Sequence, residues 1–497
     1  MRMKKMLAVV SALCMMVSVV PVLPMQETAV ISANAEDTYE NLSYRKYADY
    51  IEITGYVEEP TGELVIPEEI DGLPVKHIRQ GTFENCTDIT SLTLPDTLTT
   101  IENGAFFCYA NTKSDGYRTR ILRSNNNDDS IGIGAFGHCT EIKQIFVSDT
   151  HPTLSSEDGV LFNKDKTELI RYPAGKEDES YTIPDTVTKI SESAFSGCEN
   201  LTSVTISESV TEIEAYAFAY CPSLTTITIP DGLTSIEYSI FCGSGLSTII
   251  IPDSIKRIGS YAFSQTNLSS VTIPSGVTDI GDATFLGCTS LTSVTIPDGV
   301  QAINSNTFKE CSALSSIVIP DSVTSLGESA FFGCSELTSI TLPHNVTSIE
   351  KWSLAKCSNL DSIIFKNPNC EIEDSGYTIY GEVDGGGNIE FNGTLYGYEG
   401  STAQVYAEKY GFKFALLDEE PDTTEPKTEE LKQGDASGDG KINVLDVITI
   451  NKAAMGKETL SPEQLKAIDF NSNGKPDSEE SLMILKYIVG ITASLTD

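Results

Sequence analysis

The segment Cys288-Thr-Ser-Leu291-Thr-Ser-Val294-Thr-Ile296-Pro297-Asp-Gly-Val300-Gln-Ala-Ile303-Asn-Ser-Asn-Thr-Phe308-Lys-Glu-Cys311 decides how the chain is read. Its Val-x-Ile step alternates with period two, so it is a short strand with one buried face. Pro297 ends the strand, because it has no N–H to offer a ladder. Val300 and Ile303 then turn inward on a return path, and Phe308 fills the wide end of a coil before Cys311 starts the next copy. One such turn cannot bury its own apolar face; stacked turns bury a continuous core and need caps at both ends.

The copies recur along most of the chain. The Ile-Pro step is found at Ile183, Ile206 (followed by Ser), Ile229, Ile251, Ile273, Ile296, Ile319 and Leu342, each 22 or 23 residues after the last. Weaker copies lie at Ile66-Pro67 and Leu94-Pro95, and Phe365-Lys366 closes the series. The string resembles the BspA-like leucine-rich repeat of bacterial surface proteins. The resemblance runs from about residue 42 to 416 and implies a repeat solenoid of short parallel strands, turns and short helical returns. Tyr50-Ile51-Glu52-Ile53-Thr54-Gly55-Tyr56 resembles that family's N-terminal entry. Gly397-Tyr398-Glu399-Gly400-Ser401-Thr402-Ala403 resembles its C-terminal end, read as a short helix and a last strand at 412–416.

The chain has 497 residues, 33 Lys+Arg, 71 Asp+Glu and a formal charge of −38. That balance argues against nucleic acid and anionic membranes as partners, since phosphates attract basic patches. Residues 1–35 read as a signal peptide. Arg2, Lys4 and Lys5 precede the apolar run Leu7–Val20, and Ala33-Asn34-Ala35 fits a cleavage site. An uncleaved anchor is the alternative. No later segment is apolar enough to span a bilayer, so export and an extracellular, cell-surface or assembly-associated location are expected.

Most cysteines form a column. Cys86, Cys139, Cys198, Cys221, Cys288, Cys311, Cys334 and Cys357 stand three residues before the strand-leading Leu or Ile. In the two shorter turns Cys242 is displaced and Gln265 takes the column position on that count. Buried structural thiols are expected; disulfides between neighbours and a metal ladder are the alternatives. The outward strand residues read Ser203, Thr226, Thr248, Ser270, Ser293, Ser316, Ser339, Ser362 and Thr205, Thr228, Ile250, Thr272, Thr295, Val318, Thr341, Ile364. This neutral face lacks the paired carboxylates that glycoside hydrolysis needs. Either it is a solvated sheet or a broad contact surface. Tyr216, Tyr238 and Tyr261 on the return path are a possible partner patch or a cover for the core's edge. Residues 109–131, with Arg118, Arg120 and Arg123, form an insertion. Residues 148–180 look like an extra hairpin within the coil.

An acidic Pro/Thr linker, 418–433, separates the solenoid from residues 434–497. There, Asp435, Ser437, Asp439, the Lys441 carbonyl, Asn443 and Asp446 occupy positions 1, 3, 5, 7, 9 and 12 of a calcium loop, with Gly440 at the sharp turn. Asp469, Asn471, Asn473, the Lys475 carbonyl, Asp477 and Glu480 repeat the pattern 34 residues on, around Gly474. A helix follows each loop, and the segment 421–433 is poor material for a helix entering the first. The tandem pattern without that helix resembles a type I dockerin, a small all-α calcium-binding domain. The resemblance implies two Ca2+ ions, the second bound more weakly because Asn473 and Pro476 depart from the pattern. It also implies a cohesin domain on a cellulosome-type scaffold as partner. Carried over by position, the cohesin contacts are Val444, Leu445 and Lys452 in the first copy and Ser478, Glu479 and Lys486 in the second, with Val444-Leu445 favouring the first.

The expectation is a secreted, non-catalytic adhesion or protein-interaction arm anchored through the dockerin, with an unknown protein or polysaccharide as the arm's ligand. A structural spacer or a regulator of co-secreted hydrolases is the alternative. An enzyme is disfavoured, because the repeats leave no room for a catalytic domain.

Overall fold

The computed structural model of the protein describes residues 37–107, 131–132, 135–137, 139–383, 389–417, 432–437, 442, 444–455, 460–470 and 475–488. The proposed signal, the insertion carrying Arg118, Arg120 and Arg123, and most of the linker lie outside them. The chain divides into two compact units, 1–417 and 418–497.

The first unit is a β-solenoid. Each turn lays down two short parallel ladders. On one side Ser270–Thr272 pairs in register with Ser293–Thr295, placing Val271 beside Val294. On the other, Ala302–Ile303, Ser325–Leu326, Ser348–Ile349 and Glu371–Ile372 pair in succession. The Pro after the first strand opens the corner between them. Its carbonyl accepts the N–H three residues on, at 3.2 Å from Val300 to Pro297 and 3.0 Å from Val323 to Pro320.

The return path differs from the expected helical segment. Between residues 42 and 400 no helix is found among the described residues. After the second ladder the backbone runs through consecutive turns whose own N–H groups reach the next coil. Ala283, Phe285 and Gly287 donate to Ser305, Thr307 and Lys309 at 2.8, 2.9 and 2.7 Å. This geometry requires two left-handed residues per turn. One column reads Ser193, Tyr216, Ser239, Tyr261, Ala283, Asn306, Ser329 and Trp352; the other reads Gly197, Tyr220, Gly243, Gln265, Gly287, Glu310, Gly333 and Lys356. A helix would bond within the coil and leave its neighbour unpaired, so the stacked turn satisfies more of the buried backbone.

Between the columns sits the phenylalanine stack. Phe195, Phe218, Phe241, Phe263, Phe285, Phe308 and Phe331 are fully buried, with successive centroids 5.0–5.8 Å apart and ring planes within 18° of parallel. A coil rises by about the 4.8 Å ladder spacing, so neighbouring rings are forced into the offset stacking that aromatic quadrupoles favour.

The ends are closed by different structures. Leu42–Lys46 and Ile51–Tyr56 form an antiparallel hairpin over the first coil. The 148–180 segment contributes antiparallel strands Leu154–Glu157, Val160–Asn163 and Glu168–Arg171, the last of which rejoins the second ladder at Lys189–Ile190. At the far end helix α1, Thr402–Tyr410, is capped by Ser401 and stopped by Gly411 in the left-handed region (φ 74°). Strand Lys413–Leu416 then pairs with Thr394–Gly397.

The second unit has helices α2, Val444–Ala454, α3, Pro462–Ile468, and α4, Ser478–Ile488. Ile450, Ile468 and Ile484, one from each helix, bury a small core with Ala436. Helix α3 was not foreseen, although Ser461-Pro462-x-Gln464 is a capping box with Pro at the first helical position.

Candidate functional site

The tandem loops of the second unit bring carboxylates into its interior. Asp435, Asp446 and Glu480 are fully buried. The Ser437 N–H donates to an Asp446 oxygen at 2.9 Å, and the Ser437 hydroxyl donates to Asp435 at 3.3 Å, so positions 1, 3 and 12 of the first loop converge. Helix α3 fixes the loop from behind, its Gln464 amide donating to the Ala436 carbonyl at 2.8 Å. In the second loop the Asp477 N–H donates to one Glu480 oxygen at 2.9 Å, while Glu480 Oε1 is buried with no hydrogen-bond partner. Burial, followed by the interaction with Asp477, pushes the Glu480 carboxyl up to about 7. A buried carboxylate oxygen without a donor is costly in an apolar setting. It is also what a twelfth-position calcium ligand provides, so the residues fit a hard cation with oxygen ligands.

Of the remaining loop positions, Asp469 and Asp477 are half-buried and Lys475 is exposed. Asp439, Lys441, Asn443, Asn471 and Asn473 lie outside the described residues, and no group of three or more His, Cys, Asp or Glu side chains is drawn around one point among the described residues. Val444 and Leu445 open α2, and Ser478 and Glu479 open α4. Lys452 is exposed and Lys486 half-exposed, near the ends of those helices. Residues not foreseen as contacts accompany them. Ile448 on α2, Met455 just after it, and Leu482, Leu485 and Tyr487 on α4 are large, apolar and exposed. The core positions of these two helices are Ile450 and Ile484.

Within the solenoid the cysteine column is a hydrogen-bond ladder. Cys221, Cys288, Cys311, Cys334 and Cys357 donate to the carbonyls of Phe195, Phe263, Phe285, Phe308 and Phe331, one coil back, at 3.0–3.2 Å. No two of the described cysteines are joined. Burial raises the thiols of Cys288, Cys311, Cys334 and Cys357, Cys288 to about 11 and Cys357 to about 12, which keeps them protonated and unreactive. The column position in the short turns is corrected. Counting forward from Phe263, Thr266 rather than Gln265 takes it: Thr266 is buried and bonds both the Phe263 carbonyl, at 2.8 Å, and the Cys288 thiol, at 3.3 Å. Gln265 is exposed and belongs to the left-handed column.

The outward strand columns remain mostly Ser and Thr, with Ile250 and Val318 more than four-fifths exposed. They are not wholly free of aromatics: Phe146 and Tyr396 extend them at the two ends. Tyr216 is buried and meets Tyr238 edge-on at 5.3 Å; Tyr238 meets Tyr261 at 5.7 Å, and both are half-buried. On the second ladder's outer face Glu192, Glu212, Glu214 and Glu237 line a shallow groove that sequence reading missed, because they fall at different offsets from their strands.

Residues 63–178, 174–292 and 278–378 match the family described as BspA type leucine rich repeat region (6 copies). The chain belongs to the BspA-type leucine-rich repeat family. Residues 433–489 match the type I dockerin domain, so the repeat protein carries a C-terminal dockerin. Dockerins are calcium-binding domains, and this one implies cellulosome-type cohesin binding. A leucine-rich repeat protein from Bacteroides ovatus is 21% identical, covering 77% of this chain and 100% of its own, with a TM-score of 0.40. A leucine rich cell surface protein from Faecalibacterium prausnitzii is 23% identical over 71% of this chain and 99% of its own, with a TM-score of 0.35. No curated protein matches the chain. No helix among the described residues is long and apolar enough to cross a membrane.

Proposed function

We propose that the protein is a secreted, non-catalytic recognition arm whose dockerin attaches it to a cohesin-bearing scaffold outside the cell. The observation that carries this reading is the buried Asp435–Asp446 pair with the partnerless Glu480 oxygen in a unit with very little apolar core. Calcium, when bound, supplies the positive charge that lets these carboxylates stay ionised inside the unit. The proposed ligands are Asp435, Ser437, Asp439, the Lys441 carbonyl, Asn443 and Asp446 for one ion, and Asp469, Asn471, Asn473, the Lys475 carbonyl, Asp477 and Glu480 for a second, weaker one. Holding the loops closed sets α2 and α4 in place. Val444, Leu445 and Lys452 with Ile448, and Ser478, Glu479 and Lys486 with Leu482 and Leu485, then form the cohesin surface.

The test is capture of the full chain on an immobilised cohesin domain with calcium and with excess chelator. Capture that survives chelation contradicts the reading. Paired variants, Ile448→Asp with Lys452→Glu and Leu482→Asp with Lys486→Glu, show which copy carries the contact. The bland Ser/Thr face keeps a second reading in view, that of a spacer or a regulator of co-secreted hydrolases. Inhibition of such a hydrolase by the purified solenoid distinguishes it.

A further inference from the structure

The aromatic residues on the solenoid's outer edge fall into two groups, and the later one carries lysines. Trp352 stands in the first left-handed column at φ 62°, where most turns place Ser, Ala or Asn, and Lys356 stands in the second column at φ 56°. A bulky side chain in this backbone region is unusual and points to a use for the side chain itself. Phe332 lies between two ammonium groups: Lys309 Nζ is 5.3 Å and Lys356 Nζ 5.1 Å from its ring centroid. Lys351 Nζ lies 3.8 Å from the Trp352 ring.

Among the described residues none of these three lysines forms an ion pair, although Glu310, Glu328 and Glu350 lie on the same coils. Elsewhere Lys46, Lys143, Lys166, Lys189 and Lys409 all hold carboxylates. The rings restrict the lysine side chains, so less conformational freedom is lost when a partner binds. Two ammonium groups lie over Phe332 and one over Trp352, so these rings serve the lysines. What the edge presents is three ammonium groups held on an ordered aromatic base, with the exposed carboxylates of Glu310, Glu328 and Glu350 on the same coils unpaired with them. At physiological salt the screening length is about 8 Å, so a local patch acts on a bound anion despite the chain's overall negative charge.

Resting on the recognition-arm reading, we propose that Lys309, Lys351 and Lys356, ordered by Phe332 and Trp352, form the docking site for an acidic peptide segment of a partner protein. The patch is an anion site on the outer edge, separate from the Ser/Thr strand face. Lysines two coils apart are spaced by about 10 Å along the edge, which successive carboxylates of an extended acidic segment can span.

The experiment uses the full, calcium-loaded chain and a poly-L-glutamate probe of about 20 residues, with binding followed by fluorescence anisotropy across salt. The wild type should bind, and weaken about tenfold or more between low and physiological salt. Lys309→Glu/Lys351→Glu/Lys356→Glu should bind about tenfold more weakly, and a charge-matched control, Lys46→Glu/Lys143→Glu/Lys166→Glu, should stay within about twofold. Trp352→Ser, which restores the residue found at Ser193, Ser239 and Ser329, should lose several-fold. Lys351→Gln carries the test if the triple variant melts early. Equal loss in patch and control variants overturns the proposal. So does equally tight, equally patch-dependent binding of polygalacturonate, which assigns the site to acidic polysaccharide, or patch-dependent self-association, which assigns it to a second copy. Cohesin capture is measured in parallel: its failure indicts the anchoring reading alone.

Discussion

The two units bury opposite kinds of side chain. The solenoid hides a stack of phenylalanines and a ladder of thiols, and the buried Arg171 guanidinium is held by the carbonyls of Ser193 and Ser196. Among its described residues the dockerin hides three carboxylates behind four fully buried apolar residues. A unit that small exposes too large a fraction of its surface to be held by apolar burial alone. Neutral stacking makes a part held by its own side chains. Buried like charges make one that needs a cation, and whose assembly is therefore conditional.

Chelation should break this contrast most severely. Excess chelator should abolish the helical signal of the dockerin and cohesin capture while the solenoid's melting transition stays in place, which calorimetry resolves as two transitions responding separately. A coincident loss of both would show that the units are not independent. Phe285→Ala tests the other side. It should cost about 3–5 kcal/mol of solenoid stability by opening a cavity in the middle of the stack, with cohesin capture unchanged.

Glu192 sharpens the comparison through pH. Burial and the neighbouring Glu214 raise its carboxyl to about 7. A carboxyl whose folded value lies above its unfolded one binds the proton more tightly in the native state. Its penalty is absent below about pH 4 and grows as pH rises through 7. Glu192→Gln should therefore raise the solenoid's unfolding free energy at pH 8, by an amount on the order of 1–2 kcal/mol, and leave it unchanged at pH 4. The smallest effect concerns the left-handed columns. Gly287→Ala should cost about 1 kcal/mol, since φ is +70° there and the added Cβ would meet Gln265 Cγ at 3.3 Å. Ser329→Gly should be neutral or slightly stabilising in the same denaturant titration.

Sequence reading reached the repeat because Ile-Pro spacing survives in almost every turn, and it reached the calcium loops because charge, spacing and a central Gly coincide twice. It missed the second ladder because a two-residue strand such as Ala302–Ile303 shows no alternation. The left-handed columns were hidden because one of them holds Ser, Tyr, Ala, Asn and Trp in the regular coils, with glycine only earlier, at Gly81 and Gly104. Thr266 was misplaced because the count ran back from Leu268, across the loop that had lost a residue, instead of forward from the Phe that anchors each coil. The outward residues of α2 and α4 could not be separated from core ones until the packing of Ile450 and Ile484 fixed the helix rotation.

The thiol-to-carbonyl bond has a consequence for how the protein can vary. In the regular coils each one joins residues 25 or 26 apart, Cys288 to Phe263 and Cys311 to Phe285, and reaches no farther than the neighbouring coil. A tandem duplication or loss of one coil would meet the same cross-section on both sides of the join. The number of coils is thus open to change by recombination, whereas the cross-section and the two caps are not. Lineages could lengthen or shorten the arm while leaving the dockerin untouched.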